Sequence, residues 1–291
     1  MTAHQKISRP GKTLFPDPGI TKADLAGYYE RVAEAMLPHL ANRPLVLHRF
    51  PDGVDDDGFY QKQAPRGAPM DTVTVDAQNT RGHVDHLLVN DVEGLRYLAN
   101  QAVVELHGWL SRADDLDRPD LVVIDLDPPP RRDLAVLRRA VRATRDLLGE
   151  IGLTPYLMAT GGRGYHVVAP LDRTTAFDDV RALARAVANR LAAGAPDDLT
   201  TEQRIAKRGN RIYLDVARNA YAQTTVAPYS PRARPGAPVA TPIEFAELGR
   251  VEPDGYDPTS LLRRLARKPD PWADIAQHAG SAARAHDALG E

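Results

Sequence analysis

No cysteine occurs in the 291 residues, so a disulfide framework and every cysteine-ligated zinc site are excluded. Nor does the chain contain a run of about 18 apolar residues, the length a membrane-spanning helix needs. Residues 1–10 are polar and lack the apolar stretch of a secretory signal. Net charge is only −2, from 37 Lys and Arg against 39 Asp and Glu, so bulk charge gives no hint of a nucleic-acid or membrane partner. Internal repeats and low-complexity linkers are missing too. Together these absences lead us to expect a cytoplasmic protein that makes no membrane contact. With 43% hydrophobic and 26% charged residues the composition is ordinary and leaves ample material for a core.

Two nucleotide motifs are missing at places that imitate them. Gly11-Lys12-Thr13 resembles the end of a phosphate-binding loop, but Lys6 stands where its first glycine belongs and no apolar strand precedes it. Gly162-Arg-Gly-Tyr-His-Val167 begins like a dinucleotide fingerprint, but Val167 stands where its third glycine belongs and a strand pattern follows instead of a helix.

What is present centres on Leu121-Val-Val-Ile-Asp-Leu-Asp127. Strand side chains alternate between faces, so Asp125 and Asp127 share one face, about 7 Å apart along the strand. Two bare carboxylates repel unless something positive lies between them, and a divalent metal is the usual answer. Pro128-Pro129-Pro130 then ends the strand and sets the pair at a sheet end open to substrate. In Arg211-Ile-Tyr-Leu-Asp-Val216 the same alternation puts Asp215 on the polar face of a half-buried strand. Three carboxylates on two strands suit two hard cations, which clamp the attacking and leaving oxygens of a phosphoryl displacement when about 3.5 to 4 Å apart. Taken alone, an Asp-x-Asp fits exposed carboxylates without metal equally well. From Arg204 to Arg234 the cations Arg204, Lys207, Arg208, Arg211, Arg218, Arg232 and Arg234 face one acid, Asp215, so phosphate would be drawn there. Asp125-Leu-Asp-Pro-Pro also lacks the Thr or Val that stands two places after the second Asp in haloacid-dehalogenase-like phosphatases.

Periodicity predicts helices over 22–40 (capped by Thr21 with Asp24), 92–105, 131–151 and 177–193, and a last helix pair over 258–289. Strands are predicted at 44–50, 73–75, 87–89, 121–127, 156–160 and 165–170, with a polar loop over 76–85. The last two strands are joined by Gly161-Gly-Arg-Gly164, a hairpin whose backbone N–H groups can approach an anion, with Arg163 and His166 beside it; a tight turn with a satisfied histidine fits the same residues. Helices mixed with hairpins argue for α+β with mixed sheets. We expect one catalytic domain over 1–291, with an N-terminal lobe over 1–120, a catalytic lobe over 121–245 and a helical tail over 246–291.

In order, these pieces resemble the polymerase domain of bacterial ligase D, a branch of the archaeo-eukaryotic primase superfamily. The resemblance rests on Lys12-Thr-Leu-Phe-Pro16 with Gly19-Ile-Thr-Lys22, Val123-Ile-Asp-Leu-Asp-Pro128, and Thr160-Gly-Gly-Arg-Gly-Tyr-His166. It continues through Asp215-Val-Ala-Arg-Asn219 and Thr224-Thr-Val-Ala-Pro-Tyr-Ser-Pro-Arg-Ala-Arg-Pro-Gly-Ala-Pro238. It covers about residues 6–245, and with no ligase or nuclease segment attached the chain looks like a stand-alone member.

The resemblance implies a primase-polymerase fold, mixed β-sheets forming a central cleft flanked by helices. It also implies template-directed primer extension at short gaps or breaks, with a preference for ribonucleotides. Asp125, Asp127 and Asp215 would hold two manganese or magnesium ions, and Thr160, Arg163, His166, Arg218, Thr224, Arg232, Arg234 and His107 the incoming triphosphate, NTP or dNTP. Lys12 and Lys22 would grip the 5′-phosphate of a downstream strand, and Arg49, Phe59 and Tyr60 would contact the template, where stacking is worth roughly 1 to 3 kcal/mol per base. Primer-template or gapped DNA, a Ku-like protein and a separate ligase are the implied partners, and nucleoid association follows. Thr160 stands where the family often has serine, and His48 where some relatives have lysine. The net acidic loop 76–85 falls where end-joining relatives carry an end-aligning loop. Two rivals stand beside this reading: a non-catalytic DNA-end-binding scaffold and a metal-dependent phosphoesterase.

Overall fold

Thr21 and Asp24 start the first long helix as expected, the Thr21 hydroxyl accepting from the Asp24 N–H while the Asp24 carboxylate accepts from the Thr21 N–H, a capping box. The computed structural model describes residues 6–76, 82–131 and 133–290. Two compact units divide the chain. The first holds Met1–Asp114, Thr224–Ala240 and Tyr256–Asp270; the second holds Asp115–Gln223, Thr241–Gly255 and Pro271–Glu291. The expected lobes are contiguous in sequence, whereas both units are assembled from three segments.

The first unit opens with β1 (Thr13–Phe15), β2 (Ile20–Thr21), α1 (Lys22–Leu40), β3 (Leu45–Arg49) and β4 (Phe59–Gln61), then β5 (Thr72–Asp76), β6 (His83–Leu87), α2 (Val92–Asn100) and β7 (Val103–Trp109). The second follows with β8 (Leu121–Asp127), α3 (Leu134–Glu150), β9 (Tyr156–Ala159), β10 (Tyr165–Pro170), α4 (Phe177–Gly194), β11 (Leu199–Thr200), α5 (Ile205–Arg208) and β12 (Ile212–Asp215). Then β13 (Thr224–Val226) returns to the first unit, β14 (Thr241–Ile243) to the second, α6 (Pro258–Leu265) to the first and α7 (Ala282–Leu289) to the second.

In the first unit, β13-β7-β3-β4 form an antiparallel sheet, accompanied by the ribbons β1-β2 and β5-β6. The apolar face of α1 buries Leu25, Tyr28, Tyr29, Val32, Met36 and Leu40 in that unit's core, each contributing roughly 1.5 to 3 kcal/mol of burial. In the second unit a six-stranded sheet runs β11-β12-β8-β10-β9-β14, antiparallel except for the parallel pair β11 and β12. Helices α3 and α4 pack on it. Mixed sheets with helices interspersed make this α+β, as the patterning predicts. No helix among the described residues is long and apolar enough to cross a membrane.

Two expectations are corrected. The helix predicted over 92–105 ends at Asn100, and the chain turns at Ala102, whose φ is +54°, into β7. The β-branched pair Val103-Val104 and the alternation that follows favour a strand, paired on both sides by β3 and β13. Likewise β6 starts at His83, inside the expected polar loop, and ends at Leu87. The ribbon buries Val75, His86 and Leu87 and is held elsewhere by polar pairs: Thr74 Oγ1 donates to Asp85 Oδ1 at 2.8 Å and the His83 ring meets Asp76 at 2.7 Å. Residues 77–81, the centre of the expected loop, lie outside the described residues.

Candidate metal and nucleotide sites

Register places the acidic groups in the second unit. In the antiparallel pairing of β12 with β8, Asp215 sits directly opposite Asp125, and Tyr213 opposite Asp127. On the other side of β8, His166 of β10 is also opposite Asp125. Directly opposed residues share a face, and so do residues two apart on one strand. Asp125, Asp127, Asp215, Tyr213 and His166 therefore project from one face, with Asp125 at the centre. Their neighbours Ile124, Leu126 and Leu214 are buried.

Each carboxylate turns to its own cation. His166 Nε2 lies 3.5 Å from Asp125 Oδ2, Arg163 Nη2 3.4 Å from Asp127 Oδ1, Arg208 Nη1 3.8 Å from Asp127 Oδ2, and Arg218 Nε 3.6 Å from Asp215 Oδ2. Asp215 Oδ1 also accepts from the Ala217 N–H at 2.9 Å, which fixes its rotamer. Arg208, on α5, lies over Tyr213 with its guanidinium carbon 3.7 Å from the ring centre, a cation–π pair beside Asp127. The side chains of Asp125, Asp127 and Asp215 are 21%, 38% and 17% exposed, open enough for hydrated cations and phosphate to reach them. An all-oxygen donor set of this kind suits magnesium or manganese.

The glycine hairpin folds onto the end of the same strands. Thr160 Oγ1 donates to Gly164 O at 2.8 Å and accepts from the Gly162 N–H at 3.3 Å, so the hydroxyl locks the turn from inside. Gly161 takes φ +66° and its N–H donates to Pro253 O. Gly164 has no room for a side chain, because a Cβ would lie 2.0 Å from Leu126 O. Arg163, half-exposed, is the residue this turn presents.

The remaining sequence-predicted residues belong to the first unit. Lys22 is buried at the first turn of α1, its Nζ donating to Ser8 O and Oγ at 2.9 and 3.0 Å. Burial first, and then the charges of Arg9, Lys12 and Arg49, hold its ammonium below the usual lysine range. Lys22, Arg9 and Lys12 thus gather positive charge near the start of α1. Lys12 Nζ pairs with Asp52 at 2.7 Å. Phe59 and Tyr60 are 46% and 60% exposed on the edge strand β4, not core aromatics. Being adjacent, they face opposite ways: Phe59 is opposite Arg49, whose guanidinium lies 5.3 Å from its ring centre, and Tyr60 is opposite His48. Thr224 begins β13 opposite Trp109, Arg234 is exposed, and Arg232 Nε lies 3.2 Å from Glu105 Oε1.

Glu105 is a residue that sequence reasoning missed. It lies across the sheet from His48, and His107 is two residues on along the same strand, so the three side chains share a face. His107 Nε2 is 2.9 Å and His48 Nδ1 3.4 Å from Glu105 Oε2, while Oε1 accepts from the Ala233 N–H at 2.8 Å. Burial alone would raise the Glu105 carboxyl, but the His107 hydrogen bond, the Arg232 charge and the Ala233 N–H outweigh it and hold it ionised, far below the usual range. Burial pushes the His107 imidazole down, against the pull of Glu105. Among the described residues this is the one group of three or more potential ligands whose atoms all lie within 4.8 Å of one another. The available signal was Glu-x-His alternating within a β-branched run.

Residues 21–272 match the family described as LigD, primase-polymerase domain. The chain is 34% identical over 278 residues to the multifunctional non-homologous end joining protein LigD of Pseudomonas aeruginosa, covering 94% of this chain and 33% of that protein. It is 34% identical over 274 residues to the multifunctional non-homologous end joining DNA repair protein LigD of Mycobacterium tuberculosis H37Rv, covering 91% of this chain and 36% of that one. The chain thus spans about a third of the length of these relatives. Among solved structures, the polymerase domain of Mycobacterium tuberculosis ligase D in complex with DNA superposes with a TM-score of 0.88 at 32% identity, over 94% of this chain and 99% of that one.

Proposed function

The chain belongs to the LigD primase-polymerase domain family, and from that premise we propose that it is a nucleotidyltransferase that extends a primer along a DNA template. It fills short gaps, prefers ribonucleotides and uses two divalent ions. Residues 1–291 act as one catalytic domain. The observation that carries this reading is the register that sets Asp215 opposite Asp125, with Asp127 on the same face.

Asp125, Asp127 and Asp215 would hold manganese or magnesium, whose positive charge would lower the pKa of the primer 3′-OH and neutralise the triphosphate. The protein's own part is placement. Arg163 and Arg218, already drawn to the carboxylates, meet the phosphates of the incoming nucleotide, and His166 donates to them. Thr160 holds the turn that presents Arg163. On the DNA side, Lys12 and Lys22 take the 5′-phosphate of the downstream strand, and Arg49, Phe59 and Tyr60 the template. The names of the relatives support a role in end joining; Ku and a separate ligase are the partners we propose for it, at the nucleoid.

Incubating labelled primer-template with and without nucleotides in manganese tests the class of reaction. Growth is expected; shortening would favour a phosphoesterase, and neither would favour a scaffold. A second assay compares gaps whose downstream strand is 5′-phosphorylated with gaps where it is not. A charge-assisted contact worth about 1.5 to 3 kcal/mol gives roughly a 10- to 100-fold preference for the phosphorylated gap. In Lys22→Ala that ratio should fall towards one, and an unchanged ratio would remove Lys22 from the phosphate site.

A further inference from the structure

We propose that His48, Glu105 and His107 form a metal site of their own, one that takes a first-row transition ion of the zinc type and not magnesium. The donor set carries this. Two imidazoles and one carboxylate are nitrogen-rich, and imidazole suits zinc, cobalt, nickel or copper, whereas magnesium keeps to oxygen. This inference does not depend on the polymerase reading, which uses an all-oxygen trio on other strands.

The geometry is already close to what such an ion requires. With metal–ligand distances near 2.0 to 2.2 Å, ligand atoms around a tetrahedral ion stand roughly 3.3 Å apart. Glu105 Oε2 is 2.9 Å from His107 Nε2 and 3.4 Å from His48 Nδ1. His48 Nδ1 is a buried nitrogen with no hydrogen-bond partner, within reach of an ion shared with that oxygen. The other carboxylate oxygen is held by the Ala233 N–H and Arg232, as outer partners hold a ligating carboxylate, so Oε2 is the one left facing the imidazoles.

The His48 ring is fixed as well. Tyr60 stacks on it at 4.0 Å with an interplanar angle of 11°, and Phe50 lies at 4.3 Å on a tilt. The imidazole therefore loses little freedom on ligation, which favours binding. His48 and His107 are 16% and 14% exposed, which leaves a path for an ion and a fourth position for water. Ligation would pin β3 to β7 beneath Tyr60 and stiffen the exposed ring that stands on edge strand β4.

The test uses the full chain, stripped with a chelator and titrated with cobalt(II) in excess magnesium, read by visible absorption, with zinc followed by calorimetry. One equivalent with the ligand-field bands of a nitrogen- and oxygen-bound ion is expected. An Asp125→Asn/Asp127→Asn variant should keep that signal. His48→Phe retains the ring that packs on Tyr60 but not the ligand, and Glu105→Gln retains the shape but not the charge. Each should weaken binding more than about 100-fold, beyond what loss of an outer partner costs. Melting curves check that both fold, and if Glu105→Gln does not, His48→Phe decides alone. No cobalt band in the wild type, an unchanged titration in His48→Phe, or loss of the signal in the Asp125/Asp127 variant would each overturn the site.

Discussion

Replacing Asp125 or Asp127 by alanine abolishes primer extension, by roughly 1000-fold or more, about 4 kcal/mol of transition-state stabilisation, while binding to gapped DNA persists. Asp125 is central to its face, flanked on neighbouring strands by Asp215 and His166, so its loss removes the group to which the others are registered. Folding should survive. These side chains are between 17% and 38% exposed, and removing one of three like charges relieves repulsion even as it costs the pairing with His166 or Arg163. The proper comparison is extension in manganese beside the melting temperature and the affinity for gapped DNA. If both variants fold and still extend a primer, the carboxylate mechanism is wrong. Asp215→Ala should match them in activity and lose slightly more stability, since its carboxylate also accepts from the Ala217 N–H.

The acidic face was legible in the sequence because β-strand alternation is a strict rule that needs no partner: an apolar run ending in Asp-x-Asp fixes two side chains on one face wherever the strand is packed. Register was not legible. That Asp215 meets Asp125, and not Asp127, depends on pairing between strands some ninety residues apart, which β12's short run of Ile212, Tyr213 and Leu214 does not announce. Glu105 was lost for a different reason. Helical periodicity from Val92 carried on past the true end at Asn100, and only the backbone turn at Ala102 marks the change of element. The crossings between units were hidden by brevity, since β13 and β14 are three-residue strands in Pro- and Ala-rich surroundings. Phe59 and Tyr60, which the resemblance assigns together to the template, stand on adjacent strand positions and hence on opposite faces, and of the two it is Tyr60 that shares a face with His48.

Gly164→Ala should be the most damaging single-methyl change at the acidic face. Its Cβ would sit 2.0 Å from Leu126 O, 3.1 Å from Leu126 C and 3.3 Å from Pro128 Cδ. The nearest obstacle is a backbone carbonyl inside β8, which cannot swing aside as a flexible side chain does. Relief requires β8 and β10 to part at the end where Tyr165 pairs with Leu126 and His166 with Asp125. Overpacking of this kind costs about 3 kcal/mol, and a displacement near 1 Å at reacting groups costs about 100-fold in rate. Gly149→Ala is the control. It lies in α3 with nothing within 4 Å of a Cβ, and alanine there should stabilise by roughly 0.5 to 1 kcal/mol. Urea midpoints and extension rates for the two variants should therefore move in opposite directions or, for Gly149→Ala, leave the rate alone. A Gly164→Ala protein with the wild-type midpoint would mean that the hairpin yields freely, and the tight seating of its turn against β8 could not then be what aims Arg163 and His166 at the carboxylates.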